Sequence, residues 1–150
     1  MTPAELEPGY EQVFSVTDYY DGPLQRVADF QGEPHFYDRV FAVERDEYSD
    51  LFHLTPISHQ TLELAIEDWA IFRRFELAFH TGKATIETHP ALPQDRARHE
   101  ELKVVLDAAL RTDFDKCVTR IGIFETLGSQ PLPRGVLRDL QVKWTMPDEE

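Results

Sequence analysis

The stretch HQTLELAIEDWAIFRRFELAFHT, residues 59–81, decides the fold. Its length suits about six helical turns. It places Trp69, Phe72, Phe75 and Phe79 within eleven residues. Ser58 is a natural N-cap, with Ile57 and Leu62 spaced for a hydrophobic staple. Gly82 can take the left-handed conformation that stops a helix. At 100° per residue, Leu62, Ile66, Trp69, Phe72, Phe75 and Phe79 share a broad apolar arc, while Glu63, Glu67, Ala70 and Arg74 form a narrow polar one. Asp68, Arg73 and Glu76 interrupt the apolar arc. Charges in such a position must be paired or lie at a rim, since an unpaired buried charge is costly.

Upstream, Val13 to Tyr20 is rich in β-formers and closes on Asp21-Gly22-Pro23, a turn signal. Arg26–Phe30 reads as a short strand, Gln31–Pro34 as a turn, and His35–Val43 as a third strand. In that strand Phe36, Val40 and Ala42 fall on one face and Tyr37, Phe41 and Val43 on the other. Two partly apolar faces suit a closed or covered sheet. Glu44–Asp50 reads as an acidic connection and Leu51–Thr55 as a fourth strand. Downstream, Lys83–Pro93 is a proline-containing loop. A second helix is expected over residues 94–112, with Leu102, Val105, Leu106, Ala109 and Leu110 as its core stripe. Its surface offers i,i+4 pairs at Asp95/His99, Arg96/Glu100, Lys103/Asp107 and Asp107/Arg111. Strands are expected over Lys116–Leu127 and Leu137–Thr145. The order β-β-β-β-α-α-β-β reads as α+β. The terminal strands can rejoin the first sheet, giving a barrel-like or strongly curved antiparallel sheet packed against a two-helix hairpin. Residues 1–11 read as a flexible arm, 12–146 as one domain and 147–150 as a frayed acidic tail.

The chain of 150 residues has a formal charge of −13. Residues 1–58 hold twelve acids against three bases, so the acidity is concentrated there. Such a field repels nucleic acid and anionic membranes and favours basic partners. Arg73-Arg74 is the only basic dipeptide, which also argues against nucleic acid. Cys117 is the single cysteine, so no internal disulfide or cysteine metal cluster can form. It reads as a small core residue rather than a nucleophile. The N-terminal residues lack the basic and apolar regions of a secretion signal, and no apolar run spans a bilayer, so a cytoplasmic protein is expected.

TDYYDGP (17–23), GEPHFY (32–37), EDWAIFRRFE (67–76) and THPALPQDRARHEEL (88–102) together resemble motifs of small bacterial proteins without an established activity. The resemblance spans residues 12–145. It implies a bacterial, single-domain protein and carries no residue role with it.

The six histidines, His35, His53, His59, His80, His89 and His99, make no HExxH or zinc-finger spacing, and neither metal nor cofactor is implied. His89, followed by proline, reads as a turn element. Phosphate-loop, dinucleotide and nucleophile-elbow motifs are absent. The expected function is therefore a non-enzymatic interaction module for a basic protein, of inhibitor, immunity-type or adaptor kind. Asp46, Glu47 and Asp50, with Asp18, Asp21, Asp29 and Glu33, would steer that partner, and Tyr19 and Tyr20 would anchor it. The alternative is a small enzyme or ligand-binding domain with a site between the sheet and helix 59–81, near His35, His53, Asp68, Arg73 and Glu76.

Overall fold

The computed structural model describes residues 5–17, 22–128 and 132–147. The elements are β1 (Glu11–Gln12), β2 (Gln25–Phe30), β3 (Glu33–Ala42), β4 (Glu47–Pro56), α1 (His59–His80), α2 (Arg96–Ala109), β5 (Val118–Thr126) and β6 (Leu140–Thr145). The strands form one antiparallel sheet in the order β1-β6-β5-β4-β3-β2. The chain leaving β1 then crosses to the free edge of β2. There Phe14 N–H donates to Val27 O at 2.8 Å and Thr17 N–H to Gln25 O at 2.9 Å, nearly closing the ring. The fold is thus α+β, a barrel-like six-stranded sheet with two helices against it.

A barrel of so few strands is narrow, and side chains fill it. Tyr37, Phe52, Leu54, Ala28 and Val142 are buried inside with Phe124 and Trp144 against them. The Tyr37, Phe52, Phe124 and Trp144 rings lie 5.4–6.3 Å apart in tilted or edge-on pairs, a favourable aromatic geometry. Polar atoms among them find partners. Tyr37 hydroxyl donates to Ser15 O at 2.9 Å and Trp144 Nε1–H to Asp29 O at 2.8 Å. Burial pushes the Tyr37 phenol well above its usual range, keeping it a donor.

Strands β2 and β3 serve a second core through their outer face. Val27 and Phe36 pack there with Ala65 and Ile71 of α1, Leu102 and Leu106 of α2, and Leu110 and Ala91 beside them. The expectation of two apolar faces on the third strand holds at Phe36 and Tyr37. It fails beyond the bulge between Arg39 and Phe41, where the register shifts. Phe41 and Val43, expected on the Tyr37 face, are exposed instead. The acidic connection is also shorter than expected. Residues 43–45 make a tight turn, Asp46 takes φ +52°, and β4 begins at Glu47.

The predicted caps of α1 form. Ser58 Oγ accepts the Thr61 N–H at 3.1 Å, and Gly82 follows the last turn at φ +79°. The buried side is narrower than the apolar arc, centred on Ala65, Ile71, Phe75 and Glu76. Ile66 is exposed, because the stripe that faces the barrel runs through Ala65 rather than Ile66. On α2 the buried stripe is Leu102, Leu106 and Leu110, while Val105 is exposed. The supposed solvent face of α1 meets α2 at its margin, where Glu67 pairs with Arg98 at 2.6 Å and Arg74 with Asp95 at 3.0 Å.

Residues 5–11, read as an arm, are held to the barrel. Glu7 N–H donates to the Gln141 side chain at 3.0 Å, and Tyr10 hydroxyl to Glu125 at 2.6 Å. The Glu11 carboxylate accepts from Gln31 N–H and Gly32 N–H at 3.0 and 2.9 Å.

Candidate functional site

With the barrel interior filled, the open volume lies outside it, where the helices lean on the barrel wall. A cavity of about 400 Å³ occurs there, within the size range of small-molecule pockets. Helix α1 contributes Ala65, Asp68, Trp69 and Phe72, spaced i, i+3, i+4 and i+7 on one side. From α2 and its end come His99, Lys103, Leu106 and Leu110 at i, i+4, i+7 and i+11. The barrel supplies Ser15, Val16, Thr17 and Arg26, the loop between the helices His89 and Pro90, and the segment before β6 Leu137.

Most of this wall is apolar. Trp69 and Phe72 pack ring to ring at 5.3 Å, and the His89 ring meets Phe72 and Phe75 edge-on at 6.2 and 5.3 Å. Against it stand two charged groupings. Asp68 Oδ1 lies 2.7 Å from His99 Nδ1, joining α1 to α2 through mostly buried side chains. With His99 neutral, its Nδ1–H donates to Asp68, and Nε2 presents a lone pair. The second grouping is Asp107 with two cations. Lys103 Nζ lies 2.7 Å from its Oδ2, and Arg26 Nη2 lies 4.0 Å from its Oδ1. Arg26 has φ +148°, a region that favours glycine. Sterically disfavoured backbone of this kind clusters at binding sites.

A carboxylate-oriented imidazole is the arrangement of a general base. The hydroxyls on the wall are otherwise engaged: Ser15 Oγ accepts Val27 N–H at 3.2 Å, and Thr17 Oγ1 donates to Gln25 O at 3.1 Å. The wall thus combines an apolar surface with one imidazole–carboxylate pair and two cations.

Arg73 and Glu76 stand beside the cavity and hold its rim. Glu76 Oε1 accepts from Arg73 Nη1 at 2.6 Å, and Oε2 accepts from Leu137 N–H at 3.1 Å. Arg73 also lies 3.9 Å from Asp139 and over the Trp69 ring at 5.7 Å. Residues 132–139 are thereby pinned along α1. The pinning is close: a Cβ on Gly135 would come within 2.5 Å of the His80 ring. Burial raises the Glu76 carboxyl above its ordinary range, against the opposing effects of Leu137 N–H and Arg73.

The remaining residues singled out by sequence are dispersed. His35 is buried on β3, with Nδ1 2.9 Å from Glu33 O and its ring edge-on to Phe30. His53 on β4 contacts Thr119 Oγ1 at 3.2 Å and the Phe114 ring. Neither lines the cavity, so only Asp68 of that set does. Asp46, Glu47 and Asp50 are exposed around the β3–β4 turn, where Glu47 lies 3.9 Å from Arg45 and Asp50 3.9 Å from Arg39. Tyr19, Tyr20 and Asp21 fall outside the described residues.

His99, Lys103 and Arg26 were missed as site residues. The spacing rule matched His99 with Asp95, but Asp95 turns to Arg74 and His99 crosses to Asp68. Only the packing of the two helices, not spacing along one, could have revealed that pair. Among the described residues no three His, Cys, Asp or Glu side chains converge as a metal-ligand set, and no helix is long and apolar enough to cross a membrane. Compared with protein-family models, curated proteins and solved structures, the chain matches none.

Proposed function

We propose that the protein binds a small amphiphilic molecule in the cavity between α1, α2 and the barrel. The observation that carries this reading is the combination in one cavity of an aromatic wall, Trp69 and Phe72, with the Asp68–His99 pair. Such sites are mostly apolar with a few placed polar groups. A ligand of about 15 heavy atoms at roughly 0.3 kcal/mol per atom would bind with a Kd on the order of 1 mM or tighter. That range suits titration by heteronuclear NMR with small apolar acids, alcohols and amides. Shifts should cluster on Ala65, Trp69, Phe72, His99 and Leu106. Shifts scattered over the surface, or none with any compound, would sink the reading.

A second reading, an interaction module for a basic protein, rests on the β3–β4 tip. Phe41 and Tyr48 meet edge-on at 5.0 Å while about 40% exposed, and Val43 is 80% exposed. Glu44, Asp46, Glu47 and Asp50 surround these apolar groups. An apolar patch rimmed by acids complements a basic, partly apolar surface. Affinity capture should recover a basic protein that is released by salt and lost on charge reversal at Asp46, Glu47 and Asp50. Capture indifferent to both would remove the support for this role.

A further inference from the structure

The charges around the cavity constrain what can enter it. Arg26 and Lys103 share one carboxylate, Asp107, and among the described residues neither has another acidic partner within 4 Å. Asp68 adds a second negative charge on the opposite helix. With His99 neutral, these four fixed charges cancel. A neutral apolar ligand would leave the largely buried Arg26 and the exposed Lys103 sharing one carboxylate. An anionic group between the two cations would satisfy both, but would leave the cavity one negative charge in excess. His99 can remove that excess. A proton on Nε2 turns the Asp68–His99 hydrogen bond into an ion pair with its existing 2.7 Å geometry. Lys103 is four residues from both His99 and Asp107, so anion, imidazole and carboxylate share one side of α2.

Resting on the pocket reading above, we propose that the ligand is an apolar monocarboxylate, bound between Arg26 and Lys103 together with one proton taken up by His99. The proton comes from solvent and no covalent bond changes. His99 contacts Asp68 on α1 and shares the cavity wall with Lys103 on α2, Arg26 on β2 and the His89 imidazole on the loop between the helices, with Asp107 paired to Lys103 and Arg26. A carboxylate seated between Arg26 and Lys103 restores the charge balance that a proton on His99 would otherwise upset.

Octanoate and 1-octanol share an apolar chain and differ in charge, so they test this directly by calorimetry on the full chain. Octanoate is expected to bind at least tenfold more tightly than 1-octanol. Its proton uptake, measured in two buffers of different ionisation enthalpy, should be positive. Its affinity should fall as pH rises, as proton-coupled binding requires. His99→Gln should abolish the uptake, while His89→Gln should leave it in place. Lys103→Met, a change at an exposed position, should erase most of the preference for the acid. Equal binding of acid and alcohol would overturn the anion site while leaving the pocket standing. Octanoate binding without proton uptake, or with uptake that survives His99→Gln, would overturn the coupling. Binding of neither probe would overturn both this inference and the pocket reading.

Discussion

Gly122 measures how little room the barrel interior leaves. A Cβ built there would lie 2.6 Å from a ring carbon of Trp144 and 2.9 Å from two of Phe52. Both rings are wedged among other aromatics, so neither can swing aside cheaply. Gly122→Ala should therefore destabilise the fold by about 1–3 kcal/mol despite the better strand propensity of alanine. Urea unfolding would check this, and an unchanged midpoint would show that the rings repack. In the sequence the same residue is only part of a strand, with nothing to mark it as the point over which two rings close. The charged residues of 59–81 were more legible. Their presence in an apolar arc required partners or a rim, and each has one: His99 for Asp68, and the 132–139 segment for Arg73 and Glu76. The partners' identities were not legible, because they lie 31 and 61 positions away in sequence.

Among the elements, α1 was read nearly to the residue, since its cap, staple and glycine stop are local signals. Strand limits were read less well. The β3–β4 hairpin runs further than the sequence suggests because its acidic residues point into solvent, which a charge run does not distinguish from a loop. The contact between α1 and the 132–139 segment has a pH dependence with a definite sign. The Glu76 carboxyl titrates above its ordinary value of 4.5 in the fold, with burial as the main cause. Its contribution to stability is thus fully present below that ordinary value and is lost as pH rises through the raised one. Wild-type stability relative to Glu76→Gln should shrink between pH 4.5 and neutrality. Paired urea melts across that range would read it. A difference that grows with pH would mean that Arg73 outweighs burial. The exposed pairs of Glu67 with Arg98 and Asp95 with Arg74 act oppositely, since their carboxyls titrate below the usual range, held there by the guanidiniums. Being exposed, they should add little.

For the whole molecule, the element order and the two-faced third strand carried the barrel. Closure by residues 13–17 on β2 did not follow from any local rule, as it pairs segments through single bridges rather than a long ladder. The cavity was still less legible. Six separate segments build its wall, and the sequence named only one of its charged residues, Asp68. A site assembled from packing has no spacing of its own to find. The acidity concentrated before residue 59 is plain in the sequence. Its exposed part at the β3–β4 tip lies on residues that do not line the cavity, so the two proposed surfaces can be altered independently.

The barrel core and the cavity also divide the chain's two tryptophans. Trp144 stands among the barrel rings with its indole N–H on Asp29 O. Trp69 forms the cavity wall beneath Arg73. The molecule therefore carries a separate optical reporter for each compartment. Emission from a Trp69→Phe protein follows the barrel alone, and its difference from the parent isolates the cavity. Loosening of the helical layer can in this way be timed against opening of the barrel within one chain.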